Sequence, residues 1–143
     1  MPSKVYLTQT DTTIGFISQD AKRLTEIKQR PPYKHYIKAV DSLSTLKAHS
    51  RIPTIHKNRL RRAQKSTFVF SNGASYRVIR DPKHRKLISQ LGWAYTTSAN
   101  LSNTPYDETW ARSMADEVIE PLKGNEEPSK IYKINNRRLK RIR

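Results

Sequence analysis

The sequence predicts an α/β or α+β protein in which helices pack against a sheet. Short runs rich in β-branched and aromatic residues alternate with stretches whose apolar residues recur at helical spacing. Glycine, proline and Asn-Gly signals separate these runs, and no internal repeat is visible. A chain of 143 residues has the size of one domain, so a single domain over residues 1–143 is expected.

The first half of the chain predicts two strands and two helices. Residues 4–9 alternate in polarity and favour a strand, which runs into a hydroxyl-rich loop over residues 10–15. Asp20 can cap a helix whose apolar residues recur at helical spacing, and the prolines at 31 and 32 stop that helix. A strand over 35–40 and a helix from 41 or 42 to 47 follow.

The second half predicts a hairpin, two helices and three further strands. Residues 50–65 are basic without clear periodicity and indicate a loop or a short exposed helix. Asn72-Gly73 between two β-rich runs, 67–71 and 76–79, is a strong hairpin signal. The remaining predicted elements are a helix from Asp81-Pro82 to Gly92, a strand over 93–97, an amphipathic helix over 107–119, and strands over 129–134 and 138–142.

Charge is the strongest compositional signal. The 28 Lys and Arg residues against 12 Asp and Glu give a net charge of +16. Residues 1–106 hold 19 basic and 5 acidic residues, residues 107–127 hold 2 and 7, and residues 128–143 hold 7 and none. A protein with this positive charge attracts polyanions such as RNA, DNA, nucleotides and anionic lipid. The same charge would also be found in a protein that comes from a generally basic proteome or that uses charge only for solubility.

The composition also excludes several classes of protein. There is no cysteine, which excludes disulfide scaffolds, cysteine nucleophiles and thiolate metal sites. No apolar stretch reaches membrane-spanning length, and the first residues lack the apolar segment of a signal peptide. A cytoplasmic protein with no membrane partner is therefore expected.

Three short motifs carry candidate chemistry. Lys28 and Arg30 flank one residue just before Pro31, where the end of the helix lets both cations turn toward one anion. Two strands end in hydroxyl-rich turns, the places at which ligands bind in α/β sheets. The first turn contains Thr10, Asp11 and Thr12, and the second contains Thr97, Ser98 and Asn100. Each motif alone is equally typical of ordinary caps and turns.

Taken in order, the three motifs resemble those of the YrdC/Sua5 family of threonylcarbamoyl-AMP synthases. The family pattern Pro-Thr-Asp-Thr-x-Tyr-Gly-Leu is similar to Gln-Thr-Asp-Thr-Thr-Ile-Gly-Phe at residues 9–16. The family's Lys-x-Arg-Pro stands intact at residues 28–31, and its Ser-x-Asn stands intact at 98–100. Residues 63–67 keep the threonine of the family's Pro-Gly-Pro-x-Thr but neither its prolines nor its glycine, and Arg77 lacks the proline that follows two positions later.

The resemblance implies a fold, a reaction and its partners. The fold would be a YrdC-like twisted mixed parallel/antiparallel sheet with helices packed on it and a basic concave cleft. Similar enzymes are nucleotidyltransferases that make L-threonylcarbamoyladenylate from L-threonine, bicarbonate and ATP, for the t6A modification of tRNA. ATP would arrive as a substrate with Mg²⁺, and further expected partners are tRNA or dsRNA and the proteins that transfer the product.

The resemblance also assigns roles to residues. The four catalytic candidates carry cations, a hydroxyl and an amide, which suit phosphate and carboxylate oxygens: Lys28, Arg30, Ser98 and Asn100. Thr10 and Thr12 are the candidates for contact with the threonine substrate. The nucleotide-binding candidates are Lys34, Thr67, Arg77, Ser129 and Arg143. No nucleophile is required, so catalysis would consist of positioning and electrostatics.

No metal site and no single function follow from the residues alone. The four histidines at 35, 49, 56 and 84 have no i, i+4 pairing, so no tightly bound metal is expected. One alternative function is a dsRNA- or tRNA-binding YrdC-like protein with little or no synthase activity, using the basic runs at 51–65 and 137–143. A further alternative is a homologue that binds nucleotide without making the adenylate.

Overall fold

The computed structural model describes residues 4–31, 35–124, 129–135 and 137–143. The chain divides into two compact units, each made of two separate segments. Unit 1 consists of residues 1–36 and 95–127, and unit 2 consists of residues 37–94 and 128–143. Each unit contains its own strands, helices and buried apolar cluster. The prediction of a single domain over residues 1–143 stays a prediction.

Unit 1 is a mixed sheet with two helices. Its strands are β1 (Tyr6–Gln9), β2 (Ile14–Ser18), β6 (Trp93–Ser98, of which the last four residues lie in this unit) and β7 (Glu117–Ile119). Its helices are α1 (Ala21–Lys28) and α5 (Glu108–Met114). The strand order is β7-β1-β2-β6, with β7 parallel to β1 and the other neighbours antiparallel.

The core of unit 1 forms between its sheet and its helices. Leu7 and Phe16, which lie opposite each other on β1 and β2, are fully buried. Leu24 of α1 and Ala111 of α5 are fully buried in the same apolar cluster. The ring of Trp110 meets Phe16 edge-on at 5.8 Å. These contacts fix the end of α1 against the sheet, which positions the site described below.

Unit 2 is a second mixed sheet with three helices. Its strands are β3 (Ile37–Val40), β4 (Ser66–Val69), β5 (Ser75–Val78), β8 (Lys130–Ile134) and β9 (Leu139–Arg141). Its helices are α2 (Leu43–His49), α3 (Lys57–Arg62) and α4 (Pro82–Leu91), and a 3₁₀ turn spans Thr54–His56. The strand order is β3-β5-β4-β8-β9, with β3/β5 and β4/β8 parallel and β4/β5 and β8/β9 antiparallel.

The predicted fold class and most elements of the sequence analysis are confirmed. Both units have a mixed parallel/antiparallel sheet with helices, as expected. The Asn72-Gly73 hairpin joins β4 to β5, and Asp81 caps α4 by accepting a hydrogen bond from the His84 amide at 3.0 Å. The basic stretch at 50–65 forms the 3₁₀ turn and α3, with Leu60 fully buried. None of the described helices is long and apolar enough to cross a membrane.

Two expectations were wrong. The hydroxyl-rich loop is only four residues long, because Ile14 already begins β2, a strand whose five residues are all buried. The predicted helix over 107–119 ends at Met114, and the chain then enters β7 beside β1. The Asp116 carboxylate accepts a hydrogen bond from the Val5 amide at 2.8 Å, and the Asp116 amide donates to the Val5 carbonyl at 2.9 Å. This long-range pairing overrides the helical periodicity that extends to Val118.

Candidate functional site

The Lys28 side chain lies at the C-terminal end of α1. Asp20 caps the start of this helix by accepting a hydrogen bond from the Arg23 amide at 3.2 Å, and Leu24 anchors its middle in the core. Gln29 ends it in the left-handed conformation (φ 52°). The chain therefore turns away directly after Lys28, whose side chain is buried with only 4% of the residue exposed.

The Lys28 ammonium donates to the last residue of β6 and to the loop that follows it. Its Nζ lies 2.8 Å from the Ser98 carbonyl oxygen, 3.4 Å from Asn100 Oδ1 and 3.5 Å from Ser98 Oγ. The Ser98 hydroxyl donates to Asn100 Oδ1 at 2.5 Å. The Asn100 amide nitrogen donates to the Thr104 carbonyl at 2.8 Å, which turns its oxygen toward the lysine. Residues 70 positions apart in the sequence thus form one network.

The surroundings of Lys28 disfavour its charge. Burial removes the ammonium from water and the nearby Arg30 guanidinium repels it, so the pKa of Lys28 falls from 10.5 to about 8. The ion pairs found among the described residues do not include Lys28. A buried cation held by neutral oxygen atoms is an arrangement that an incoming anion stabilises. Lys28 therefore has the properties of a ligand-binding group.

Arg30 stacks on an aromatic ring close to the same helix end. Its guanidinium carbon lies 4.5 Å from the centroid of the Tyr36 ring. The Tyr36 hydroxyl and the Thr25 hydroxyl are 3.0 Å apart, and the Tyr36 ring packs against Tyr95 at 6.3 Å. The ring holds the planar guanidinium without neutralising it, and among the described residues no side-chain hydrogen bond or ion pair of Arg30 is found, so its N–H groups can bind an oxyanion.

The affinity of this site for an anion is expected to fall as the pH rises through 8. Only protonated Lys28 attracts an anion, and with a pKa of about 8 the protonated fraction falls from about 0.9 at pH 7 to about 0.1 at pH 9. The dissociation constant for sulfate, which does not titrate in this range, should therefore rise about tenfold between pH 7 and pH 9. Isothermal titration calorimetry measures this change, and a constant affinity would contradict it.

The two threonines predicted to bind substrate lie in the turn between β1 and β2. The Thr10 hydroxyl donates to the Thr13 carbonyl at 2.5 Å and accepts from the Thr12 amide at 3.2 Å, which closes the turn. Both Thr10 and Thr12 are buried. Gly15 lies beside this turn, opposite Ser98 in the sheet. A Cβ atom at Gly15 would be 3.0 Å from the Thr97 carbonyl oxygen and 3.1 Å from Thr10 Cγ2, so a larger residue would fit only if these neighbours shifted by a few tenths of an ångström.

Three of the predicted nucleotide contacts meet in unit 2. The Thr67 and Ser129 hydroxyl oxygens are 2.8 Å apart. Arg143 donates from Nε to the Ser129 carbonyl at 2.9 Å and from Nη2 to the Ser129 hydroxyl at 3.2 Å. The buried Arg77 lies on β5, and the register that pairs Phe68 with Tyr76 sets Arg77 opposite Thr67 on the same face. The fifth predicted nucleotide contact, Lys34, lies outside the described residues.

The structure thus brings the predicted residues together in two clusters. In unit 1, Lys28 joins Ser98 and Asn100, with Arg30 near the ammonium and Thr10 and Thr12 in the turn beside Gly15. In unit 2, Thr67 joins Ser129 and Arg143, with Arg77 on the neighbouring strand. Sequence analysis missed the two residues that orient these groups in unit 1, Thr104 and Tyr36. Neither carries a motif signal, because each acts only through a contact that the fold creates.

Among the described residues, no three histidine or acidic side chains come together as a metal site would require.

No protein-family model matches the chain. A Mycoplasma pneumoniae protein named "Uncharacterized protein MG259 homolog" is 33% identical over 146 residues, which are 92% of this chain and 30% of that protein. The chain therefore spans less than a third of the length of that relative.

The fold and the buried lysine define an α/β protein with a site suited to an oxyanion. Pyrococcal Sua5 (P. abyssi), solved in complex with L-threonine, superposes with a TM-score of 0.80 at 20% identity, covering 98% of this chain and 50% of that one. YciO of E. coli superposes with a TM-score of 0.76 at 19% identity, covering 99% of this chain and 82% of that one. The chain therefore has the YrdC-like fold of the Sua5 and YrdC proteins.

Proposed function

We propose that this chain acts as a threonylcarbamoyl-AMP synthase of the YrdC/Sua5 type. It would make L-threonylcarbamoyladenylate from L-threonine, bicarbonate and ATP for the t6A modification of tRNA. The observation that carries the proposal is the contact of Lys28 Nζ with the Ser98 carbonyl and Asn100 Oδ1, at 2.8 and 3.4 Å. Two motifs that resemble the family's, from distant parts of the chain, meet at one buried cation. The YrdC-like fold and the L-threonine complex of P. abyssi Sua5 add support.

In the proposed reaction, the threonine amine attacks bicarbonate and water leaves, which gives a carbamate. A carbamate oxygen then attacks the α-phosphorus of ATP, the bond to the bridging oxygen breaks, and pyrophosphate leaves. ATP enters as its Mg²⁺ complex, whose ion keeps most of its waters, so the proposal requires no tightly bound metal.

The proposal gives each part of the unit 1 cluster a task. Lys28 and Arg30 bind phosphate or carboxylate oxygens and offset the negative charge on the transferring adenylyl group. Ser98 and Asn100 hold the ammonium of Lys28 in place and contact the phosphates or the carbamate. Thr10 and Thr12 line the place of the threonine substrate. Lys34, Thr67, Arg77, Ser129 and Arg143 stay predicted nucleotide contacts.

The test is pyrophosphate release from ATP that depends on both L-threonine and bicarbonate. The double variant Lys28→Ala/Arg30→Ala should lose this activity by about 100-fold to 1,000-fold, because preorganised charges supply most of the stabilisation in such a reaction. The matched control is Lys22→Ala/Lys123→Ala, which removes two exposed cations of the same unit and should keep the rate within about twofold. Equal rates for the wild type and the Lys28/Arg30 variant would refute the assignment.

A second candidate function is a dsRNA- or tRNA-binding protein with little synthase activity, which the net charge of +16 favours. This function predicts no pyrophosphate release that depends on threonine and bicarbonate. It also predicts RNA affinity that falls steeply with salt and is unchanged by Ser98→Ala. A melting-temperature titration with ATP and threonine separates the two candidates, since only a protein that binds these ligands is stabilised by them.

A further inference from the structure

A cavity of about 560 Å³ in unit 2 lies beyond the carboxyl ends of the parallel strands β3 and β5. Its lining includes Asp41, which directly follows β3, and Ile79, which directly follows β5. Other lining residues belong to α2, to the end of α3 and to the first turn of α4. The carboxyl ends of parallel strands are the places at which α/β proteins bind ligands. This cavity, which we call the arginine pocket after Arg61, Arg80 and Arg85, has no role in the proposed synthase reaction.

Each of the three arginines is held by one neutral oxygen atom. Arg85 Nε donates to the Asp41 carbonyl at 2.9 Å, and Arg61 Nη1 donates to Asn58 Oδ1 at 2.9 Å. Arg80 Nη1 donates to the carbonyl oxygen of Arg61, in the last turn of α3. A neutral oxygen fixes the direction of a guanidinium group without cancelling its charge, and the group has further N–H donors. The three arginines are therefore oriented in advance and still able to bind an anion.

The arginine pocket carries more positive charge than its own residues balance. Lys47 adds a fourth cation, and Asp41 is the one acidic residue among the described residues that line the pocket, so four cations and one anion give the lining a net charge of +3. The Asp41 carboxylate accepts hydrogen bonds from the Thr45 hydroxyl at 2.6 Å and from the Ser89 hydroxyl at 2.8 Å. The ion pairs found among the described residues include none of the four cations. The balancing charge must therefore come from a ligand or from salt.

The arginine pocket is separate from the predicted nucleotide contacts of unit 2. Side chains alternate between the two faces of a sheet along a strand. Val78 of β5 lines the pocket, and its neighbour Arg77 is therefore on the other face, together with Thr67. Val78 also packs in one apolar cluster with Leu43 and Leu46 of α2, so the pocket lies on the face of the sheet that α2 covers. An anion in the pocket would lie across the sheet from Arg77 and Thr67.

We propose that the arginine pocket binds the phosphoryl group of a small phosphorylated molecule. A phosphate monoester carries about two negative charges at neutral pH and has several acceptor oxygens, which match the two-pronged donors of guanidinium groups. The Lys47 ammonium and the exposed Ser44 hydroxyl line the same pocket and can donate further hydrogen bonds. The volume leaves room for an organic part beside the phosphate. No aromatic ring is among the described residues that line the pocket, so it lacks the stacking surface with which proteins hold single-stranded nucleic acid.

Isothermal titration calorimetry with ribose 5-phosphate and with inorganic phosphate, at a pH of about 7.5, tests the proposal. All proteins carry Lys28→Met, so that the anion site of unit 1 does not contribute. Arg61→Gln/Arg85→Gln should weaken the binding of both probes about tenfold or more, because it removes two charge-assisted contacts. Arg61→Lys/Arg85→Lys should weaken it about threefold, since an ammonium keeps the charge but not the two-pronged geometry. The probe that binds more tightly shows whether the pocket prefers esterified or free phosphate.

The matched control changes the next residue on each of the same two helices. Arg62→Gln/Lys86→Gln removes two exposed cations that do not line the pocket, and it should keep both affinities within about twofold. Equal losses in this control and in Arg61→Gln/Arg85→Gln would refute a specific pocket. A Kd above about 10 mM for both probes, with the pocket residues unchanged, would refute it as well. A dicarboxylate such as succinate that binds more tightly than either probe would overturn the assignment to a phosphoryl group.

The proposal does not rest on the synthase function, and the two fail separately. In the protein with its native Lys28, Arg61→Gln/Arg85→Gln should keep the rate of pyrophosphate release within about twofold, since the pocket lies across the sheet from Arg77. Ribose 5-phosphate should raise the melting temperature of the Arg62→Gln/Lys86→Gln control but not that of Arg61→Gln/Arg85→Gln. Loss of binding to an RNA duplex in Arg61→Gln/Arg85→Gln, with unchanged affinity for both phosphate probes, would assign these arginines to nucleic acid and refute the pocket.

Discussion

Replacing Lys28 by methionine is expected to abolish pyrophosphate release while raising the melting temperature of the protein. The rate should fall by at least about 100-fold, because methionine fills the buried space but carries no charge to place against an oxyanion. The free energy of unfolding should rise by about 1–2 kcal/mol, which corresponds to about 3–6 °C in Tm for a chain of this size. Activity assays and thermal unfolding of the same preparation measure the two effects.

The expected gain in stability follows from the pKa of Lys28. A fall in pKa from 10.5 to about 8 means that the folded protein destabilises the charged form of Lys28, relative to the neutral form, by about 3 kcal/mol. Residual solvent screening and the lost hydrogen bond to the Ser98 carbonyl reduce this value to the expected range. Between pH 8 and 10.5 the unfolded state binds more protons than the folded state, so the wild type gains stability as the pH rises. The advantage of the methionine variant should therefore disappear by about pH 10.5.

The matched control is Lys22→Met, which changes an exposed lysine of the same helix. It should alter neither the rate nor the pH dependence of stability. A Lys28→Met protein that is less stable than the wild type at pH 7 would show that the lysine is a structural group. A stable but fully active variant would show that no reaction step depends on its charge.

Replacing Gly15 with a larger residue is expected to destabilise unit 1. A Cβ atom there would lie 3.0 Å from the Thr97 carbonyl oxygen, which the sheet holds, and 3.1 Å from Cγ2 of Thr10, whose hydroxyl closes the turn with Thr13. Gly15→Ala should cost about 1–2 kcal/mol and Gly15→Val about 3 kcal/mol or more, because overpacking a fixed site forces the backbone to shift. Urea unfolding at pH 7 measures both values.

The Thr10 methyl group provides an internal test of this mechanism. Thr10→Ser removes the methyl group and keeps the hydroxyl that closes the turn with Thr13. In the double variant Thr10→Ser/Gly15→Ala, about half of the loss caused by Gly15→Ala should return, because one of the two close contacts is relieved. The Michaelis constant for threonine should rise with Gly15→Ala, since the shift moves the turn that carries Thr10 and Thr12. Simple additivity of the two substitutions would contradict the proposed contact.

Local signals in the sequence predicted elements with local causes. Asp20 caps α1, Asp81 caps α4, and Asn72-Gly73 turns the hairpin, because each feature depends on neighbours a few residues away. β2 was missed because all five of its residues are buried, so it has no alternation of polarity to reveal it. The helix over 107–119 was overextended because Val5, which pairs with Asp116, lies 111 residues earlier in the chain.

The candidate site was predictable in composition but not in geometry. The motifs that contain Lys28, Ser98 and Asn100 can be recognised in the sequence, and the structure joins them in one network. The depression of the lysine pKa could not be predicted, because it depends on how deeply α1 buries its last residue. The cation–π contact of Arg30 with the Tyr36 ring could not be predicted either, because such a contact produces no periodic pattern in the sequence.

The two-segment construction of each unit has a consequence for synthesis on the ribosome. β7 completes the first sheet against β1 from more than a hundred positions away, and β8 completes the second against β4 from more than sixty. During synthesis both sheets therefore stay incomplete until residues 117–134 have emerged from the ribosome. Strand pairs so distant in sequence form slowly, because a long loop must close before they gain any contact. Neither half could be obtained by simple truncation, and dissecting them would require a circularly permuted gene.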